Sequence, residues 1–136
     1  MAIEFNVTAA DGWFLGEDKL LSIEIIGQDA AGLLPGETGY VRTPVDVTDW
    51  ALEYIIRLKD KDPDPPLLRK ETGEGIEIMG TFNETTNTQR VQITIDSPDT
   101  TDWKAKTYRH SLKRTDLGDE TILFWGGATL LQATAH

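Results

Sequence analysis

By residue type, His110 and Ser111 are the pair best suited to nucleophilic catalysis, and they are adjacent in the sequence. The alternating residues around them predict a strand, in which neighbouring side chains point to opposite faces. A serine nucleophile needs its histidine base within hydrogen-bond distance, so this pair does not make a Ser-His-Asp site. The other histidine is His136, the last residue of the sequence. We therefore expect a protein that is not an enzyme and has no catalytic residues.

The carboxylates Asp60, Asp62 and Asp64 alternate along a short segment, as calcium ligands can. A calcium loop also needs a glycine at its turn and a distal glutamate, whereas this segment is interrupted by prolines. A stiff solvated loop is the better interpretation. The sequence has no cysteine and no nucleotide-binding glycine motif. We expect no metal site and no cofactor.

The chain has 136 residues, of which 39% are hydrophobic, which is enough for the core of one domain. We expect a single β-sandwich domain over residues 1–136, with residues 1–12 as an N-terminal arm or edge strand. The formal net charge of −10 opposes binding to the phosphates of nucleic acid. No stretch approaches the roughly 18 apolar residues that span a bilayer. We therefore expect neither nucleic acid nor a membrane as a partner.

Apolar and polar residues alternate in several segments, which is the pattern of strands with one buried face. The clearest segment is 50–59, and the pattern recurs around Ile23, Ile93 and Tyr108. Tyr108 follows a turn-like segment, so we expect its hydroxyl to bond to an upstream backbone group, as in a tyrosine corner. The residues predicted to form the core are Trp50, Leu52, Tyr54, Ile56, Val91, Ile93, Ile95, Tyr108 and Leu112.

Segments rich in glycine, proline and aspartate separate these strands. Gly126 and Gly127, inside the last strand, indicate a bulge or a close backbone approach. The pattern predicts a hairpin of Lys106–Arg114 with Thr121–Leu130, short strands at 67–71 and 76–79, a loop or one helical turn within 28–47, and a helical turn near 99–103. Some seven or eight strands at about this spacing favour an all-β fold, an immunoglobulin-like antiparallel β-sandwich.

Basic residues and tryptophans are the candidates for partner docking. The basic residues cluster in two strand segments, which gives either an ordinary solvated face or a docking face for an acidic partner surface. The tryptophans are either packed in the core and turns or exposed as interface anchors. The candidate docking residues are Arg57, Lys59, Lys104, Lys106, Arg109, Lys113, Trp13, Trp103 and Trp125.

Three segments with a distinctive order of strand starts and turns run through residues 13–131. They are Trp13-Phe14-Leu15-Gly16-Glu17-Asp18, Val47-Thr48-Asp49-Trp50 and the hairpin segment from Tyr108 through Leu112 to Arg114-Thr115-Asp116. In this order the chain resembles a group of small tailed-bacteriophage virion proteins with an immunoglobulin-like domain. It is similar to the N-terminal domain of the phage baseplate upper protein. Asp49 stands where glycine is usual in that group.

The resemblance implies a structural protein of a phage virion, made in the host cytoplasm, and it carries over no catalytic residue. The first expectation is a capsid decoration (cement) protein that binds the outer shell, with the major capsid protein as partner. A tail, baseplate or connector adaptor is the alternative, with tail or baseplate components as partners. A carbohydrate-binding host-adhesion module is the second alternative, with Trp13, Trp103 and Trp125 as stacking platforms. Homo-oligomer formation is left open. Loops 32–42 and 60–66 are expected to make contacts.

Overall fold

The structure is a computed structural model that describes residues 3–59, 66–116 and 121–132. The described residues form eight strands, one short helix and a 3-10 turn at Ala9–Asp11. The strands are β1 (Ile3–Glu4), β2 (Lys19–Ile23), β3 (Leu52–Arg57), β4 (Leu68–Thr72), β5 (Gly75–Met79), β6 (Arg90–Ile95), β7 (Lys106–Arg114) and β8 (Thr121–Leu130). The helix α1 (Ser97–Thr100) lies between β6 and β7.

The eight strands belong to one hydrogen-bonded sheet in the order β1-β8-β7-β3-β4-β5-β6-β2. The prediction of an all-β fold is confirmed. The expectation of a purely antiparallel sheet is wrong, because β1 runs parallel to β8 and β4 runs parallel to β5. The immunoglobulin-like sandwich of two sheets stays a prediction, since the strands form a single mixed sheet.

The local elements lie close to where the sequence pattern places them. The hairpin of β7 and β8 is confirmed, and β4 and β5 match the two short strands expected before it. The helical turn expected near 99–103 begins earlier, at Ser97, where Asp96 precedes the helix and Pro98 stands in its first turn. Pro in the first turn stabilises a helix start, because its missing N–H has no partner there in any case.

One hydrophobic core takes side chains from every strand between β2 and β8. In β3, Leu52, Tyr54 and Ile56 are buried, whereas Glu53 and Arg57 are half-buried on the other face. Strands from both ends of the sheet order share this core, so the sheet curls around it. The other predicted core residues that lie in this cluster are Val91, Ile93, Ile95, Tyr108 and Leu112.

Trp50 lies at the border of the core rather than inside it. Its ring is half-buried, and the guanidinium carbon of Arg114 lies 4.0 Å from the ring centroid. Arg114 also donates two hydrogen bonds to Asp116, at 2.7 and 2.9 Å. These bonds lower the pKa of Asp116 to about 2. The exposed side of the Trp50 ring is therefore covered by the ion pair of Arg114 and Asp116.

Tyr108 makes the backbone bond expected of a tyrosine corner. Its hydroxyl donates to the carbonyl oxygen of Lys104 at 2.7 Å. The ring of Trp103 packs against it with a centroid separation of 5.0 Å. The turn before β7 is thus tied to the first buried residue of that strand.

The paired glycines of β8 allow a close backbone approach. Residues 3–7 run along β8, where Phe5 N–H donates to the Trp125 carbonyl and Val7 N–H to the Gly127 carbonyl. A Cβ atom on Gly126 would lie only 2.2 Å from the Phe5 oxygen. The glycines are therefore not a bulge, and the irregularity of the hairpin lies between Leu112 and Lys113.

The loop between β2 and β3 is organised around the buried carboxylate of Asp29. This carboxylate accepts backbone N–H groups of Val41, Leu33 and Ala31 at 2.9, 2.8 and 3.0 Å. Those bonds, the one from Val41 above all, hold the pKa of Asp29 below its usual range. The loop alternative is the correct one for this segment, and its backbone is fixed by a side chain.

Candidate docking surface

The solvent-facing side of β3, β7 and β8 brings together cationic and hydrophobic side chains. It borders a shallow depression of about 420 Å³. Ile55, only 8% exposed, also lines this depression. We call this surface the outer face; its residues are Arg57, Arg109, Ser111, Lys113, Ile122 and Trp125.

Strand alternation positions the residues that β7 contributes. Tyr108, His110 and Leu112 are buried on the inner side. Arg109, Ser111 and Lys113 lie between them in sequence and therefore project from the opposite side. The pair His110 and Ser111 is divided between the two faces, as the sequence pattern predicts.

A bulge in β8 places Ile122 on the outer face. Leu112 pairs with Phe124, but the next residue, Lys113, pairs with Ile122, so that Leu123 is the extra residue. Phe124 is buried, whereas Ile122 is 47% exposed. In a regular strand these two residues would share a face, and the bulge separates them. Ile122 thus lies on the same side of the sheet as Trp125.

The two ends of the outer face differ in the side chains that surround their cations. At one end the Glu53 carboxylate forms ion pairs with Lys113 Nζ at 3.2 Å and Arg69 Nε at 3.3 Å. At the other end Arg57 and Arg109 are directly opposite each other on β3 and β7. The guanidinium carbon of Arg109 lies 5.8 Å from the centroid of the Trp125 ring. This end of the outer face therefore places two guanidinium groups beside an aromatic ring.

Trp125 is the one tryptophan among the docking candidates that is strongly exposed, at 41%. Of the two alternatives for Trp13, packing in the core is the correct one and the exposed anchor is wrong, because Trp13 is 1% exposed and belongs to the core. Trp103 is half-buried against Tyr108 and packs on the core. Trp13 and Trp103 therefore contribute to stability rather than to the outer face.

Three predicted basic residues lie off the outer face. Lys104 precedes β7, and Lys106 has the same strand parity as Tyr108, with its Nζ 5.9 Å from that ring. Lys59 is exposed beyond the end of β3. Nearness in sequence grouped these residues, but side chains alternate between the two faces of a strand. Lys106 therefore lies on the opposite face of β7 from Arg109 and Lys113.

Ile122 is the residue of the outer face that the sequence pattern missed. Its exposure depends on the bulge, and nothing in the segment around it marks the extra residue. The only available signal was its position next to a turn in a strand that is otherwise strongly apolar.

A buried polar chain crosses the inner side beneath β1. His110 Nε2 lies 2.7 Å from the Phe5 carbonyl oxygen, and His110 Nδ1 lies 2.9 Å from the Tyr54 hydroxyl. The carbonyl can only accept, so Nε2 carries the proton and Nδ1 accepts from Tyr54. Burial lowers the pKa of His110 and raises that of Tyr54 well above its usual value. Every polar atom of the imidazole has a structural partner.

The loop region 32–42, expected to make contacts, borders a second shallow depression of about 460 Å³. Val41 is 68% exposed there, while Arg42 is paired with Glu24. The other expected contact loop and its three aspartates, at 60–65, lie outside the described residues, as does His136.

Within residues 3–59, 66–116 and 121–132, no group of three potential metal ligands is present. No helix in the described part of the chain has the length and apolar character needed to cross a membrane. No protein-family model, curated protein or solved structure matches this chain.

Proposed function

We propose that this chain is a non-enzymatic structural protein of a tailed-phage virion, a capsid decoration protein that binds the outer shell through its outer face. The resemblance of its strand starts and turns supports the virion assignment. The observation that carries the docking role is the exposure of Trp125 and Ile122 beside Arg57 and Arg109. Aromatic and arginine side chains dominate the energetics of protein interfaces.

Binding would stabilise the shell by mass action. A protein that binds the assembled shell and not its separated subunits shifts the equilibrium toward assembly. The curled sheet suits this role, because its own core is complete without the outer face.

A tail or baseplate adaptor would use the same face, so copy number separates it from a decoration protein. The carbohydrate-binding alternative needs several aromatic platforms. Trp13 is buried and Trp103 half-buried, which leaves Trp125 with Arg109 beside it. This geometry favours a protein partner over a glycan.

The test is to purify particles of the phage that encodes the chain and to measure its abundance against the major capsid protein by quantitative gel densitometry. A decoration protein is expected at an abundance comparable to that of the shell protein. A far lower abundance in the tail fraction would assign it to the adaptor class. Absence from the particle would overturn the proposal.

Particles assembled without the chain allow a direct binding test. Added Arg109→Glu and Trp125→Ala variants are expected to bind at least about tenfold more weakly than the unchanged protein, as for interface anchors. Lys104→Glu and Leu20→Ala are the matched controls, because both residues are exposed and lie off the outer face. Equal binding by all four variants would contradict docking through this surface.

A further inference from the structure

We infer that the edge of β8 in one copy of this chain binds the N-terminal segment, residues 3–7, of a second copy, in a reciprocal exchange of these segments. The exchange uses backbone groups of β8 and rings on the inner side of the sheet, so it is separate from docking through the outer face. Three features carry it: the contacts of the segment with β8, the turn that follows the segment, and the excess length of that turn.

Backbone hydrogen bonds attach the N-terminal segment to β8. Phe5 N–H donates to the Trp125 carbonyl at 2.8 Å, and Val7 N–H donates to the Gly127 carbonyl at 2.9 Å. The edge of β8 is thus a site that binds an extended strand in parallel orientation. Because two copies have the same sequence, the segment of a second copy forms the same bonds in the same register.

The ring of Phe5 covers two buried rings of the body of the protein. Its centroid lies 5.1 Å from that of Phe124 and 5.6 Å from that of His110, which are 4% and 3% exposed. His110 Nε2 lies 2.7 Å from the Phe5 carbonyl oxygen. A β8 edge that loses its own segment therefore exposes two rings and a hydrogen-bond donor. The segment of a second copy supplies the missing ring and the missing carbonyl together.

The turn at residues 8–12 is closed by local bonds. Thr8 N–H donates to the Asp11 carboxylate at 2.6 Å, and Asp11 N–H donates to the Thr8 carbonyl at 3.0 Å. Gly12 N–H donates to the Ala9 carbonyl at 3.2 Å. All five residues of the turn are exposed. Opening the turn therefore transfers these groups to water and uncovers no buried side chain of the turn itself.

This turn also contains more chain than the closed form uses. Val7 is bridged to Ala128 and Phe14 to Leu131, so between the two bridges β8 advances three residues and the N-terminal chain seven. Three residues of a strand span about 10 Å, whereas seven extended residues span about 23 Å. With Phe14 still held on its own β8, the straightened turn can carry the segment to the β8 edge of a neighbouring copy.

A cysteine pair tests the exchange directly, because the sequence has no cysteine of its own. Glu4 and Trp125 are register partners on β1 and β8, and adjacent strands have Cα atoms within the range that a disulfide bridges. A chain with Glu4→Cys is mixed at millimolar concentration with an isotopically labelled chain that carries Trp125→Cys, warmed and then oxidised. The expected product is a disulfide-linked dimer of one chain of each kind, identified by its mass.

The matched control replaces Trp125→Cys by Leu20→Cys. Leu20 is 54% exposed on β2, at the opposite end of the sheet order from β1 and β8. Its mixed dimer with the Glu4→Cys chain is expected to be at least about tenfold less abundant, because no pairing brings the two thiols together. A single chain with both Glu4→Cys and Trp125→Cys, oxidised at high dilution, is expected to form the bond internally.

A peptide competition identifies the group that occupies the β8 edge. The peptide has the sequence of residues 3–8, with its N-terminus acetylated, and is added in excess before oxidation. It is expected to suppress the mixed dimer of the Glu4→Cys and Trp125→Cys chains. The same peptide with Phe5→Ala is expected to leave the dimer in place, because it lacks the ring that covers His110 and Phe124.

Gly12→Ala tests the turn without any cysteine. Gly12 has a φ of 66°, which is unfavourable for alanine in the closed turn and is relieved when the turn straightens. Two turns open in each dimer, so the association constant is expected to rise at least about tenfold. Gly36→Ala is the matched control, since its φ of 94° lies in the loop between β2 and β3 with no atom within 4 Å of the new Cβ. Sedimentation equilibrium measures both variants.

Two results would each overturn the exchange. One is a mixed dimer no more abundant with Trp125→Cys than with Leu20→Cys, although the double-cysteine chain forms its internal bond. The other is an association constant that is the same for Gly12→Ala and Gly36→Ala. The second comparison decides the matter should the cysteine pair form no internal bond.

Discussion

At the scale of single residues, His110 links three parts of the chain through one buried ring. It bonds to Phe5 beside β8 and to Tyr54 in β3, and its ring stacks on that of Phe5 at a centroid distance of 5.6 Å. Burial is the main cause of the lowering of its pKa, and the positive charge of Arg109 adds to it. A proton on Nδ1 would require the Tyr54 hydroxyl to turn and accept a hydrogen bond, so the present arrangement favours the neutral ring.

His110 makes stability depend on pH. Its folded pKa lies below the ordinary value of 6.5, so as pH falls the unfolded chain takes up the proton first. The unfolding free energy is therefore expected to be constant above about pH 6.5 and to fall as the pH drops toward the folded pKa. Urea unfolding at about pH 7.5 and about pH 5.5 measures the difference, well above the range in which Asp116 titrates.

The control is His110→Gln, in which the difference between the two pH values is expected to shrink. The other histidine, His136, is present in both proteins and cancels in this comparison. An equally large loss of stability in the glutamine variant would show that another group is responsible.

At the scale of elements, β8 is bordered on one side by β7 and on the other by the N-terminal segment. Asn6 adds a side-chain bond, since its Oδ1 accepts the Gly127 N–H at 2.8 Å. The N-terminal segment can pack this closely against β8 because Gly126, where the two backbones come closest, has no side chain.

Gly126→Ala is expected to detach the N-terminal segment, because the new Cβ would lie 2.2 Å from the Phe5 oxygen, which belongs to backbone. Hydrogen exchange should show faster exchange of the Phe5 and Val7 amides, with β3 and β6 unaffected. Gly127→Ala is the matched control, since its Cβ would lie 3.0 Å from a Thr107 methyl carbon and 3.7 Å from side-chain atoms of Arg109 and Asn6, and would meet no backbone atom. Equal protection of the two amides in both variants would contradict this account.

Elements with local patterns were predictable from the sequence, and elements with distant partners were not. The alternation around Tyr54 and Leu112 depends on residues within the same strand, so burial follows from the pattern. The parallel pairing of β1 with β8 joins segments that no local signal connects. The bulge at Leu123 was missed for the same reason, and with it the exposure of Ile122.

At the scale of the whole molecule, the single core predicts cooperative unfolding. Leu112 is fully buried at the centre of the hairpin, and Leu112→Ala is expected to lower the unfolding free energy by about 2–5 kcal/mol. Leu20→Ala, at a side chain 54% exposed, is expected to change it by less than about 0.5 kcal/mol. Urea unfolding followed by both circular dichroism and tryptophan fluorescence measures these values. Separate midpoints for the two signals would indicate more than one folding unit.

The candidate surface was predictable in part at this scale. Arg57, Arg109, Lys113 and Trp125 were among the predicted docking residues, and the register of β3, β7 and β8 brings them together. Lys104 and Lys106 were grouped with them by their nearness in sequence alone. Whether two charges share a surface depends on strand parity and on which strands are neighbours, and the second of these comes only from the three-dimensional structure.

The pairing of β1 with β8 also has a consequence for synthesis. Asn6 and its partner Gly127 are 121 residues apart along the chain. At a translation rate of about 5–20 residues per second, the N-terminal segment emerges on the order of ten seconds before β8 exists. Throughout that interval its hydrophobic residues Phe5 and Val7 have no strand to join. The nascent chain therefore completes its final sheet only after β8 has left the ribosome.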